Sequence, residues 1–196
     1  IEKARETFRR HGGVLQTAEA IRAGIQPRVL YALRDAGIVE TLRRGCYRLA
    51  ELGPMTNPDL AIVAKAAPKG VICLISALSF HEITTQIPHA VDLALPAHTH
   101  APRIDYPPIQ PYWFSGAAHT AGVEAHEIDG VAVPVYTPAK TVADCFKYRN
   151  KIGLDVAIEA LKLCRQRRRT TGQEFQRYAK VCRVDGVMAP YLEAIL

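Results

Sequence analysis

The stretch PRVLYALRDAGIVETLRRGCYRL, residues 27–49, constrains the fold more than any other part of the chain. Pro27 suits the first position of a helix, where its missing N–H costs nothing. Over that helix Val29, Leu30 and Leu33 fall on one side at helical spacing. Arg28, Tyr31 and Asp35 fall on the other, with Arg34 on the flank. Two strands are predicted next, Ile38–Leu42 and Cys46–Leu49, around the turn Arg43-Arg44-Gly45. Within the second strand, Tyr47 and Leu49 share one face and Arg48 takes the other.

The residues before this stretch complete a pattern. EKARETFRRH, residues 2–11, reads as a helix with Ala4 and Phe8 inward, and Gly12-Gly13 ends it. VLQTAEAIRAG then carries a second helix that starts after Thr17 as N-cap, with Glu19 in the first turn and Gly24 closing it. Two short helices joined by a glycine-containing turn form a helix-turn-helix, and the basic hairpin after them forms its wing. The expectation is a winged helix-turn-helix domain over residues 1–52 that reads double-stranded DNA. Arg28, Tyr31 and Arg34 would face the major groove. Arg43 and Arg44 would meet the backbone or minor groove. The alternative is a protein-interaction module that turns the same winged helix to a partner without binding DNA.

Charge follows this division. The chain's net charge of +6 is unevenly spread. Residues 1–50 hold 10 Lys/Arg against 5 Asp/Glu, residues 51–136 hold 3 against 8, and residues 137–196 hold 12 against 6. A basic head, an acidic middle and a basic tail imply regions with separate tasks. Within the tail, LCRQRRR places Arg165, Arg167, Arg168 and Arg169 near a helix end. The helix dipole accounts for some of them; the rest form a candidate surface for a toxin, another acidic partner or a DNA backbone.

Glu51 to Pro54 reads as a linker to a second domain, residues 56–196. Helices are predicted from Pro58 to before Pro68 and from about Ser76 to Ile83. Further helices are expected at 138–149, 153–168, 172–182 and 186–195. Strands are predicted at 91–95, 109–114, 123–129 and 131–136, with Asp129-Gly130 as a hairpin turn. The fold class is therefore α+β: the winged helix, then a larger mixed α/β domain with a helical tail. Asp144 stands out as a carboxylate on a mostly apolar helix. It is expected to accept a hydrogen bond from a basic group or to lie at an interface.

Little points to catalysis. The five cysteines are scattered, with no Cys-x-x-Cys pair, and a reducing cytoplasm fits them. His98 and His100 lie in a proline-rich stretch without a carboxylate close in sequence. No phosphate-binding, nucleophile-elbow or dinucleotide motif occurs, nor the Glu-x-Lys or Asp-x-Lys step of a metal-dependent nuclease. No enzyme activity, cofactor or metal is expected. Neither a secretory signal nor an apolar run of membrane-spanning length, about 20 residues, is read in the sequence.

The segment LYALRDAGIVETLRRGCYRL resembles the N-terminal winged helix of AbiEi-type antitoxins of abortive-infection, type IV toxin–antitoxin systems. LISALSFHEI at 74–83 and VPVYTPAKTVADCFKYRNKIGLDVAIEALK at 133–162 extend the resemblance over most of the chain. Lys140 stands where such proteins commonly carry arginine. The resemblance implies a bacterial repressor of its own operon that counters a nucleotidyltransferase-like toxin, by direct contact or indirectly. It also implies operator sites that are inverted repeats, occupied by two copies of a protein that is monomeric when free.

Overall fold

The computed structural model describes residues 1–195, a mixed α+β chain with two sheets. It divides into two compact units. The first takes residues 1–68, 104–107 and 126–133; the second takes 69–103, 108–125 and 134 onward.

In the first unit the order is α1 (Glu2–Arg10), β1 (Val14–Gln16), α2 (Thr17–Arg22), α3 (Pro27–Asp35), β2 (Val39–Arg43), β3 (Cys46–Leu49) and α4 (Pro58–Ala66). The three strands form an antiparallel sheet in the order β1-β3-β2. One apolar cluster holds it together: Ala4 and Phe8 of α1, Leu15, Ala20, Ile25, Leu30 and Leu33, with Val39, Tyr47 and Leu49 from the hairpin. Each fully buried leucine or phenylalanine contributes about 1.5–3 kcal/mol of transfer free energy. The inward positions of α1 and α3 are thus those the helical spacing predicted.

Three details of this unit differ from the sequence reading. Val14–Gln16, which the expected Thr17 cap leaves unassigned ahead of the helix, is a strand, because it pairs with β3 through Val14↔Arg48, Leu15↔Tyr47 and Gln16↔Cys46. Gln16, not Thr17, is therefore the cap of α2, and the Glu19 carboxylate accepts a hydrogen bond from the Gln16 N–H at 2.8 Å. The freed Thr17 ties the hairpin turn instead: its N–H donates to the Gly45 carbonyl at 2.9 Å. At the start of α4, the Asp129 carboxylate accepts from the Thr56 N–H, the Thr56 hydroxyl and the Asn57 N–H at 2.7–3.1 Å.

The remaining elements are β4 (Val71–Ile72), α5 (Leu74–Phe80), β5 (Val91–Pro96), β6 (Ile109–Phe114), α6 (Ala117–Thr120), β7 (Val123–Ile128), β8 (Val131–Tyr136), α7 (Pro138–Lys147), α8 (Arg149–Ile152), α9 (Leu154–Gln166), α10 (Gly172–Cys182) and α11 (Asp185–Ile195). The second sheet runs β6-β5-β4-β8-β7, and the tip of the β7–β8 hairpin groups with the first unit. β4 lies antiparallel to β5 and parallel to β8, and β5 is parallel to β6. Helix α7 lies at the centre of the second unit's core, with Val142, Ala143, Cys145 and Phe146 fully buried. Thr137 caps it by accepting from the Lys140 N–H, and Pro138 opens it. β4, α6 and α8 are additions to the sequence reading, and α5 begins at Leu74, two residues earlier than expected.

Candidate nucleic-acid interface

On α3 the residues at 28, 31 and 34 follow one another three apart, so one stripe of the helix carries two guanidiniums and a phenol. All three are exposed, and Tyr31 leaves 45% of its surface to solvent. Leu30 and Leu33 turn the opposite face into the core and hold the stripe outward. Arg28 makes no ion pair among the described residues. Arg34 is held: its Nε and Nη2 donate to the same Asp35 oxygen at 2.9 and 2.7 Å, and its guanidinium carbon lies 5.3 Å from the centre of the Tyr31 ring. The hydrogen bond to Asp35, and then its charge, raise the Arg34 pKa above the ordinary arginine value.

The hairpin presents the other two arginines differently. Arg44 is exposed and carries no ion pair among the described residues. Arg43 is half-buried, with Nη1 donating to the Arg44 carbonyl at 3.4 Å. A register shift between Thr41 and Arg43 bends β2 just before the turn. Gly45 occupies the left-handed region, φ 75°, which closes the turn without strain.

Arg48 departs from the outward position read for it in the sequence: it is 3% exposed. Its Nη1 donates to Glu40 Oε1 at 2.9 Å, directly across the β2–β3 ladder, and its Nη2 donates to the Leu52 carbonyl at 3.3 Å. The chain after β3 covers the face that strand alternation assigned to solvent. The cross-strand Glu40 was the available signal for a structural role.

In the second unit the arginines at 165–169 do not act as one block. Arg165 lies in the last turn of α9, and Arg168 adopts a left-handed conformation, φ 50°. Arg167 and Arg169 both approach Glu82, at 3.4 and 4.0 Å. Arg165 and Arg168 are exposed and make no ion pair among the described residues. Asp144 has its basic partner inside the core: the Lys140 ammonium donates to it at 2.6 Å, and both side chains are wholly buried. The Cys182 thiol donates to its other oxygen at 3.2 Å. Among the described residues no group of three or more His, Cys, Asp or Glu is placed to hold a metal ion. No described helix is long and apolar enough to cross a membrane.

Residues 2–50 match the family model for the transcriptional regulator, AbiEi antitoxin. The match covers α1 through β3, the elements that carry the arginine stripe and the basic hairpin. The downstream stretches at 74–83 and 133–162 lie outside it. No curated protein matches the chain. Among solved structures, the chain is similar to the RV2827C protein from Mycobacterium tuberculosis, with a TM-score of 0.58 and 12% identity. That superposition covers 97% of this chain and 79% of the other, so the two share a fold across both units. The matched segment supports an antitoxin-regulator role for this chain.

Proposed function

We propose that the protein is a DNA-binding transcriptional repressor and the antitoxin of a type IV, AbiE-like toxin–antitoxin system. Residues 1–52 act as a winged helix-turn-helix: α2 and α3 form the helix pair, and β2–β3 is the wing. One observation carries this reading: the exposed Arg28–Tyr31–Arg34 stripe of α3 is followed, in the same unit, by a hairpin tipped with Arg43 and Arg44. The helix enters the major groove, and the wing arginines meet phosphates or the minor groove. Two copies occupy an inverted-repeat operator. Residues 56–196 counter a nucleotidyltransferase-like toxin, directly or indirectly, with Arg165, Arg167, Arg168 and Arg169 on the partner-facing surface.

A gel-shift titration tests it, using the DNA immediately upstream of the gene and a scrambled duplex as competitor. Wild type binds the upstream duplex preferentially, and the Arg43→Ala/Arg44→Ala double variant loses much of that affinity. Binding also weakens steeply with salt, and the slope of log K against log[salt] falls by about 0.9 for each phosphate contact removed. Absence of binding at low salt refutes the reading and makes the winged unit a protein-contact module. Equal binding by the variant removes the wing from the interface.

A further inference from the structure

Arg34 and Asp35 form an ion pair that helix stability does not explain. Asp35 is the last residue of α3, where the carbonyl end of the dipole disfavours a carboxylate. It is exposed, with two-thirds of its side chain in solvent, so packing does not require it either. What it does is fix Arg34. One carboxylate oxygen receives both Nε and Nη2, which restrains the guanidinium beside the Tyr31 ring. That arrangement engages one edge of the guanidinium fork and leaves the Nη1–Nη2 end free. A free, oriented pair of donors matches O6 and N7 of guanine, the commonest specific arginine contact in the major groove. The same carboxylate repels a phosphate, so it disfavours the sequence-independent use of Arg34.

We propose that Asp35 is a positioning residue that holds Arg34 for guanine readout and denies it to the phosphate backbone, making the Tyr31–Arg34–Asp35 group a determinant of sequence specificity. This rests on the DNA-binding reading above.

Selection of duplexes from a random pool, by wild type and by variants, tests both levels. Wild type enriches a sequence with guanine at the position Arg34 reads. In Asp35→Ala the preference for that guanine falls about tenfold, the loss of one bidentate base contact. Binding to a scrambled duplex tightens, and its salt slope steepens by about 0.9 as the released Arg34 takes a phosphate. Arg34→Ala loses the same preference, and adding Asp35→Ala to it changes the preference no further. The Asp35→Ala melting temperature is not lowered, which separates positioning from a structural role. A wild type that enriches no sequence refutes DNA reading and this inference together. A wild type that enriches a sequence which Asp35→Ala enriches equally, or an Asp35→Ala that weakens on both duplexes alike, overturns the positioning role alone.

Discussion

Asp92 shows how one residue's surroundings set its chemistry. It sits on β5, buried, and accepts from the Ser76 N–H at 3.2 Å in the first turn of α5, while its own N–H donates to the Ser76 hydroxyl at 2.8 Å. Burial raises its pKa from 3.8 to about 6; hydrogen bonds from the Ser76 and Ile75 backbone and from Tyr112 oppose that rise. A carboxyl with a raised folded-state pKa binds more protons when folded than when unfolded. Its contribution is therefore most favourable at low pH and is lost as pH rises from about 4 through 6. Asp92→Asn removes this dependence while keeping an acceptor oxygen. Its melting temperature relative to wild type should rise between pH 4 and pH 6 and level off above pH 7, measured by thermal melts across pH. A constant difference would place the titration elsewhere. The Lys140–Asp144 pair teaches a related lesson. Helical patterning called for a basic partner to Asp144 or an interface, but did not single out Lys140, four residues before it. The complete burial of the pair was not legible either, because it depends on neighbours such as Tyr136, whose ring centre lies 3.9 Å from the ammonium.

At the scale of elements, long helices were readable and short strands were not. Helices α3, α7 and α10 carry their own start signals: Pro27, Thr137-Pro138 and the Thr171–Glu174 box. In the last, the Thr171 hydroxyl accepts from the Glu174 N–H at 3.3 Å, and the Glu174 carboxylate accepts from the Thr171 N–H at 2.8 Å. Thr171→Ala should cost about 1 kcal/mol in chemical denaturation. Glu174→Ala should cost a similar amount, and the double variant less than the sum, because both remove one reciprocal device. Additive losses would show two independent caps. Strands β1 and β4 span three and two residues, too few for an alternation to register. Their pairing partners lie far along the chain, Val14 with Arg48 and Ile72 with Val135. β6 shows the converse, a proline inside a strand. Val91 donates to the Pro108 carbonyl and Ala97 to the Phe114 carbonyl, so alternate residues of β6 face β5. Pro111 falls on the other set, where the open edge of the sheet needs no donor.

For the whole molecule, the cysteines give the clearest consequence of two well-filled cores. All five are free and buried. Desolvation raises the pKa of each thiol, that of Cys164 to about 12, and those of Cys73 and Cys145 well above the ordinary value. Thiolates are the reactive form, so the folded protein should resist alkylation. A maleimide or disulfide reagent should label almost no thiol in native buffer and all five in denaturant. Cys46, the one cysteine of the first unit, reports opening of that unit, and the other four report the second. Fast labelling of any of them in native buffer would show that its surroundings open locally.

Sequence alone determined the features that depend on neighbours a few residues away. These include the inward faces of α1 and α3, the exposed stripe of Arg28, Tyr31 and Arg34, the Arg43-Arg44-Gly45 turn and the capped start of α7. Helical spacing, a cap or a turn glycine acts locally, and its signal survives in the linear order of residues. Tertiary structure decided where each local surface ended up. It buried Arg48 opposite Glu40, divided the arginines at 165–169 around Glu82, and brought Asp129 to the start of α4. Except for Glu40, which lies in the same hairpin as Arg48, each partner is a charge or backbone that arrives from elsewhere in the chain. A charged residue reads the same in sequence whether it meets water, a carboxylate or a carbonyl.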